Sequence, residues 1–311
     1  MELTEWLNNL SSIGGSTIRM SAPLIFAALG GLMSERSGII NIALEGKMLA
    51  GAFTAAAVTT LTHSPFLGFL CGGLAGMLMA ALYGLFVINF KSNQIVTGTA
   101  ITILAAGTVP FISQILFQNT GSTPEIPMGN RFIHGPIIAA WVIMGLIWLW
   151  FKYSPYGMWH KFAGEHPDAL QTSGIDVIRT RWSGVLLSGF LAGLGGATLS
   201  ICLSSSYTRN MTAGRGYMAL AALIVGGWRP IAAALACLAF GFFDALGIFL
   251  QGIQMPKLTA DIPFVTQFWN FLVSPQFIQI IPYILTIVIV AGFVGKSRAP
   301  RALGQPYLRN R

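Results

Sequence analysis

The sequence predicts an all-α polytopic membrane protein of about nine transmembrane helices, one of them short or broken, in a single membrane domain over 1–311. Three observations carry this reading. Of 311 residues, 54% are hydrophobic and only 9% charged, whereas a soluble domain carries about 25% charged residues. Apolar stretches recur at the length of about 20 residues that a bilayer span requires. No stretch is long and polar enough to fold as a soluble catalytic domain, and mean hydropathy is +0.68.

The apolar stretches place spans at Thr17–Met33, Ile39–Leu61, Phe66–Phe90, Gln94–Phe117, Pro136–Phe151 and Trp182–Leu203. Tyr217–Gly227 is too short to cross alone and reads as a half helix ended by Gly226-Gly227-Trp228-Arg229-Pro230. Ile231–Ile253 and Phe277–Val294 complete the set. Lys91, then Lys152, Lys161, Arg179 and Arg181, then Lys296, Arg298, Arg301, Arg309 and Arg311 fall on one side if every span crosses. The positive-inside bias makes that side cytoplasmic, with the C-terminus inside and 295–311 a basic tail. The same bias accounts for the net charge of +8 without a nucleic-acid partner. Cys71, Cys202 and Cys237 sit in apolar stretches as small hydrophobes, with no disulfide framework or metal spacing. Met1 to Ser12 lacks a basic n-region and is not read as a cleavable signal peptide.

A polar break, Glu35-Arg36-Ser37-Gly38 through Asn41 to Glu45-Gly46, interrupts the apolar run. An intramembrane carboxylate costs about 2.5–3.5 kcal/mol on insertion scales, so Glu45 is expected to face a bundle interior or a wet cavity. Asn41 and Glu45, spaced four apart, are expected on one helical face. Lys47 is expected to point elsewhere. Glu45 reads either as a substrate contact or as a structural acceptor of backbone or Lys47 contacts. Asp244, near the middle of its span, is the second such carboxylate, either a pathway residue or a tie between helices. Gln94 and Thr97, with Thr99 and Thr102, give one span a polar stripe that suits a neutral polyol or nucleoside and also serves packing. Phe264, Trp269 and Phe271 read as an interfacial belt or a stacking gate. Gly189, Gly193, Gly195 and Gly196 read as close helix packing.

The segment 152–181 is the longest cytoplasmic loop of this topology. Pro167 suits a first helical turn, Asp168 the positive helix end and Gly174 a stop, which predicts a short helix over Pro167–Thr172 lying along the membrane surface. The run Gly164-Glu165-His166-Pro167-Asp168-Ala169 through Gly174-Ile175 resembles the "GENPxAAxxxGI" coupling segment of a known family. Gly38–Gly46 and Gly214–Ala222 resemble its other two signatures. The family is the branched-chain amino acid and ribose type of ATP-binding cassette (ABC) importer permease, with a type II-like fold. Within it the general nucleoside and simple-sugar permeases are the most similar branch. His166 stands where the family usually has Asn, and Trp228 is a second departure.

The resemblance implies a bacterial plasma-membrane subunit. It also implies partners: cytoplasmic ABC ATPase subunits, a second homologous permease and an extracytoplasmic substrate-binding protein. Gly164, Glu165, His166, Pro167, Asp168, Ala169 and Gly174 would form the ATPase coupling helix. Asn41, Glu45, Gln94, Thr97 and Asp244 remain the candidate pathway residues. Arg36–Ala43 and Arg215–Ala221 also resemble each other, the pattern of an inverted repeat or chance similarity between small-residue helices. Gly292 to Ser297 has two residues between its glycines where a phosphate loop needs four, so no ATPase motif, cofactor or metal site is read. A proton-coupled secondary transporter using Glu45 and Asp244 is the alternative. A membrane enzyme is disfavoured because His63, His134, His160 and His166 are scattered.

Overall fold

The computed structural model describes residues 3–252, 298–308 and isolated positions between 274 and 292, with side chains from Ser11 onward. The described part is helical. It comprises α1 (Leu3–Arg36), α2 (Leu44–Thr62), α3 (Pro65–Gly84), α4 (Gln94–Phe117), α5 (Gly135–Tyr153), α6 (Pro155–Glu165), α7 (Pro167–Thr172), α8 (Val177–Thr198), α9 (Arg215–Val225) and α10 (Pro230–Gly252). α3 and α8 each run on through a π-helical turn, Leu85–Asn89 and Leu199–Leu203. Among the described residues six segments are long and apolar enough to cross a membrane, in α1, α3, α4, α5, α8 and α10. The stretch 277–294 is described only at isolated positions. Phe264, Trp269 and Phe271 lie outside the described residues.

Local sequence sets the element ends. Asn93 accepts the Ile95 and Val96 N–H groups and caps α4, and Asp176 does the same for Ile178 and Arg179 at α8. Pro65 and Pro136 sit in first turns, where a missing N–H costs nothing. α1 begins well before Thr17, and its helix passes unbroken through Gly14 and Gly15. The expected helix from Ile39 starts instead at Leu44. Gly38 takes φ +94°, and residues 37–43 form a turn stitched by Ser34, whose hydroxyl donates to the Ile39 carbonyl.

α8 is the centre of the bundle, with α1, α2 and α3 around it. A Cβ on Gly193 would lie 2.3 Å from the Gly72 carbonyl oxygen, one on Gly189 2.4 Å from that of Gly76, and one on Gly195 2.8 Å from that of Pro23. The glycine run thus serves close packing. α4 and α5 lie outermost, and apolar side chains on both, such as Ile103, Phe111, Ile138 and Leu146, are exposed.

Two ends of the bundle can be told apart. At one, Gly38, Gly164 and the tail meet: Ala302 N–H donates to the Gly164 carbonyl (2.8 Å) and Gly304 N–H to that of Gly38 (3.1 Å). This end also carries Lys152, Lys161 and Arg229, and is called the basic end below. At the other, the 118–134 and 204–214 loops pair through Thr123 and Tyr207 and through Ile126 and Ser205.

Candidate functional site

α9 is where the two intramembrane carboxylates converge. After its bridge to Ser122, the chain turns back into the bundle and starts α9 beside Glu45. Gly214, at φ +82°, makes the final turn. With 11 residues, α9 is about 16 Å long, half of a hydrocarbon core of about 30 Å. Its first amides point at Glu45: Gly214 N–H donates to Oε1 (2.8 Å) and Gly216 N–H to Oε2 (2.7 Å). A carboxylate on the positive end of a helix satisfies donors that have no intrahelical partner. Gly216 is required there, because a Cβ would lie 2.5 Å from the Glu45 nitrogen. Between these glycines, Arg215 reaches Asp244 on α10 (3.9 Å) and donates to the Met211 carbonyl (3.2 Å). The start of the half helix is therefore held from α2 on one side and from α10 on the other.

Asn41 and Gln94 belong to a second polar node, around the turn 37–43. Asn41 does not share a helical face with Glu45, because the turn at Gly38 puts it ahead of α2. Its side chain donates to Ser188 Oγ on α8 and accepts from Lys47 Nζ (2.6 Å). Lys47 points away from Glu45, as expected: it is fully buried, directed back to Asn41, with its ammonium over the Tyr83 ring at 4.8 Å. Gln94 Oε1 accepts the Ile40 N–H (2.8 Å), and Tyr83 OH bonds the Ile40 carbonyl. Glu35 accepts the Trp228 indole N–H (2.6 Å) and, more loosely, the Asn41 N–H (3.4 Å), while Arg36 donates twice to the Trp228 carbonyl (3.0 and 2.8 Å). Trp228, in the left-handed region at φ +53°, thereby clamps the α9–α10 turn onto the end of α1. Thr97 lies apart, half-buried, paired with Ser92 at 2.9 Å. The five candidates therefore fall into two nodes and a rim position.

Arg215, Lys47, Tyr83, Ser188 and Trp228 were missing from the sequence reading of the site. The available signal was that Lys47 and Arg215, like the carboxylates, are charges in apolar surroundings that demand a partner.

Within 152–181, α7 spans Pro167–Thr172, as the turn chemistry predicts, and Gly174 ends it at φ +87°. Leu170 packs inward with Ala163 and Val177, while His166, Asp168, Ala169 and Gly174 face out and Pro167 is half-buried. Gly164 and Glu165 face the bundle instead. A Cβ on Gly164 would lie 2.4 Å from the Arg36 carbonyl oxygen, and Glu165 pairs with Arg36 at 3.9 Å. Arg181 donates to the Gln305 carbonyl (2.9 Å), tying the tail to α8 beside this segment. α6 is fixed to α8 by His160, whose Nδ1 lies 2.9 Å from the Tyr156 carbonyl and Nε2 3.1 Å from Ser183 Oγ. A carbonyl only accepts, so Nδ1 carries the proton and Nε2 accepts.

Burial holds the His160 pKa below its ordinary 6.5. The ring is neutral in the folded state, and its contribution is present above pH 6.5 and is lost as pH falls toward the lowered folded value. Opening of 155–165, read as amide exchange corrected for its intrinsic pH dependence, is expected to rise as pH falls below 6.5. His160→Gln should flatten that rise, and an unchanged pH response in the variant would remove His160 as its source.

Comparison with known proteins bears on what this arrangement does. A family model described as branched-chain amino acid transport system / permease component matches residues 15–291. The chain belongs to this permease family. The permease is 35% identical to the guanosine ABC transporter permease protein NupQ of Bacillus subtilis, over 97% of this chain and 98% of the relative. It is 34% identical to the nucleoside ABC transporter permease protein NupC of Lactococcus lactis, over 98% and 99%. It is 30% identical to the putative glucose ABC transporter permease protein TsgC13 of Haloferax volcanii, over 94% and 96%. No solved structure matches the permease significantly. Its place in the family and its apolar helices make it a multi-pass membrane protein.

Proposed function

We propose that this permease is the translocation subunit of an ABC importer for nucleosides or related sugar-containing solutes. The observation that carries the substrate class is the near full-length similarity to two permeases named for guanosine and nucleoside transport. In this reading the basic end is cytoplasmic and nine segments cross. Both the α9–α10 turn and the tail make contacts at that end. Gly38 and Gly214, each a left-handed turn ahead of a helix, favour the inverted repeat.

The coupling element is α7 with its flanks. His166, Pro167, Asp168, Ala169 and Gly174 form the face offered to a cytoplasmic ABC ATPase, while Gly164 and Glu165 pass its movement to α1 through Arg36. A second homologous permease completes the pathway, and an extracytoplasmic binding protein delivers substrate. Glu45 and Asp244 act on the pathway by holding α9, and Asn41, Gln94 and Thr97 border it. A proton relay would need carboxylates free to exchange protons, whereas Glu45 is engaged by two amides and Asp244 by Arg215. ATP hydrolysis belongs to the partner.

The test is uptake of labelled guanosine by cells carrying this permease with and without its cognate ATPase. Uptake is expected to fall to background without the ATPase and to survive an uncoupler when ATP is maintained. Undiminished uptake without the ATPase rejects the reading. Loss to the uncoupler at constant ATP supports proton coupling instead.

A further inference from the structure

A cavity of about 570 Å³ opens at the basic end, between the ends of α1 and α5, α6 and the start of α10. Four cations line it: Arg36, Lys152, Lys161 and Arg229. Among the described residues their one carboxylate neighbour is Glu165, 3.9 Å from Arg36. Arg36 and Lys161 are anchored by backbone carbonyls, the former on Trp228 and the latter on Phe151 (2.8 Å). Lys152 lies over the Trp148 and Tyr153 rings, and the Arg229 side chain has no hydrogen-bond or ion-pair partner among the described residues. Burial, then the nearby Arg36 charge, pushes the Lys161 pKa down. The first turn of α10 adds its positive end and amides without intrahelical partners.

The rest of the wall is apolar. Trp148 and Phe151 form one side, and the other runs on from Pro230 to Ile231 and Leu235, which are 43% and 58% exposed along α10. A water-soluble anion would use the cations and leave this strip bare. An amphiphile with a phosphate head uses both.

We propose that the cavity is a site for one anionic phospholipid, its phosphodiester among Lys152, Arg229, Lys161 and Arg36 and one acyl chain along the apolar strip of α10. Basic pockets between membrane helices near the headgroup level favour such lipids. The lipid would bridge α5, α6 and α10, and so brace the docking segment against the α9–α10 turn. The inference does not depend on the transported solute.

The test uses the assembled transporter purified in mild detergent, with phosphatidylglycerol or phosphatidylcholine added and bound lipid read by native mass spectrometry. One phosphatidylglycerol per permease chain is expected to persist, while phosphatidylcholine washes off. The Lys152 and Arg229 side chains make no hydrogen bond to backbone among the described residues, so K152Q/R229Q should fold, and should weaken phosphatidylglycerol binding about thirty-fold. K152R/R229K should restore binding, which separates charge loss from misfolding. Equal retention of both lipids, or unchanged binding in K152Q/R229Q, overturns the proposal. Displacement of the lipid by millimolar inorganic phosphate would mark a free-anion site instead. Phosphatidylglycerol binding that occurs only after the ATPase is removed would assign the cavity to a partner's carboxylates.

Discussion

Glu45→Ala is expected to abolish transport and to lower the unfolding temperature of the permease sharply. Two amides at the start of α9 donate to this carboxylate, at 2.8 and 2.7 Å, from a setting with little water to replace it. Hydrogen bonds to a charged group contribute about 1.5–3 kcal/mol each, so losing both costs on the order of 3–5 kcal/mol. That is a large share of a total stability of about 5–15 kcal/mol. The loss is also local. Arg215 lies between the two donor glycines, so freeing them loosens the Arg215–Asp244 pair as well. Glu45→Gln keeps one acceptor oxygen and should fall between wild type and alanine. The check is uptake together with amide exchange over 214–225 in the purified variants. Wild-type uptake and unchanged exchange in Glu45→Ala would contradict the idea that this side chain fixes the half helix.

Gly196→Ala should be the most disruptive single methyl in the described bundle. A Cβ there would stand 1.8 Å from the Met48 carbonyl oxygen and 2.7 Å from its carbon. Both are backbone atoms, so no rotamer change relieves the clash, and α2 must move away from α8. Overpacking typically costs about 1–3 kcal/mol and more where backbone must shift, and the upper end applies here. Gly145→Ala on α5 is the matched control. Its added carbon meets nothing within 4 Å, and a helical Gly→Ala change there is expected to stabilise by about 0.5–1 kcal/mol. Thermal unfolding of the two variants in the same lipid should therefore move in opposite directions. Equal shifts would mean that α2 and α8 do not pack as closely as described.

Much of the fold was legible because a membrane imposes simple rules. Apolar length located the six described segments long enough to cross a membrane, and Pro167 with Gly174 bounded α7. Glu45 and Asp244 stood out because charge is costly in hydrocarbon. Their partners were not legible, since Gly214 lies 169 positions from Glu45 and local spacing carries no information at that distance. Asn41 was misplaced for a local reason: a periodicity argument assumes continuous helix, and the left-handed turn at Gly38 breaks the phase before Leu44. Lys47 points away from Glu45 as its spacing implies, but its partner Asn41 follows from a turn that pattern alone does not reveal. α1 began earlier than expected because Gly14, Gly15 and the polar residues before them weaken an apolar signal without preventing a helix.

The clasp between Ala302, Gly304 and the Gly164–Gly38 junction has a consequence for biogenesis. Those residues leave the ribosome more than a hundred positions after the segment they secure. A nascent chain therefore presents an unfastened junction until Gly304 has been made, and a stop codon ahead of Ala302 would release Gly164 and Gly38 from these two bonds.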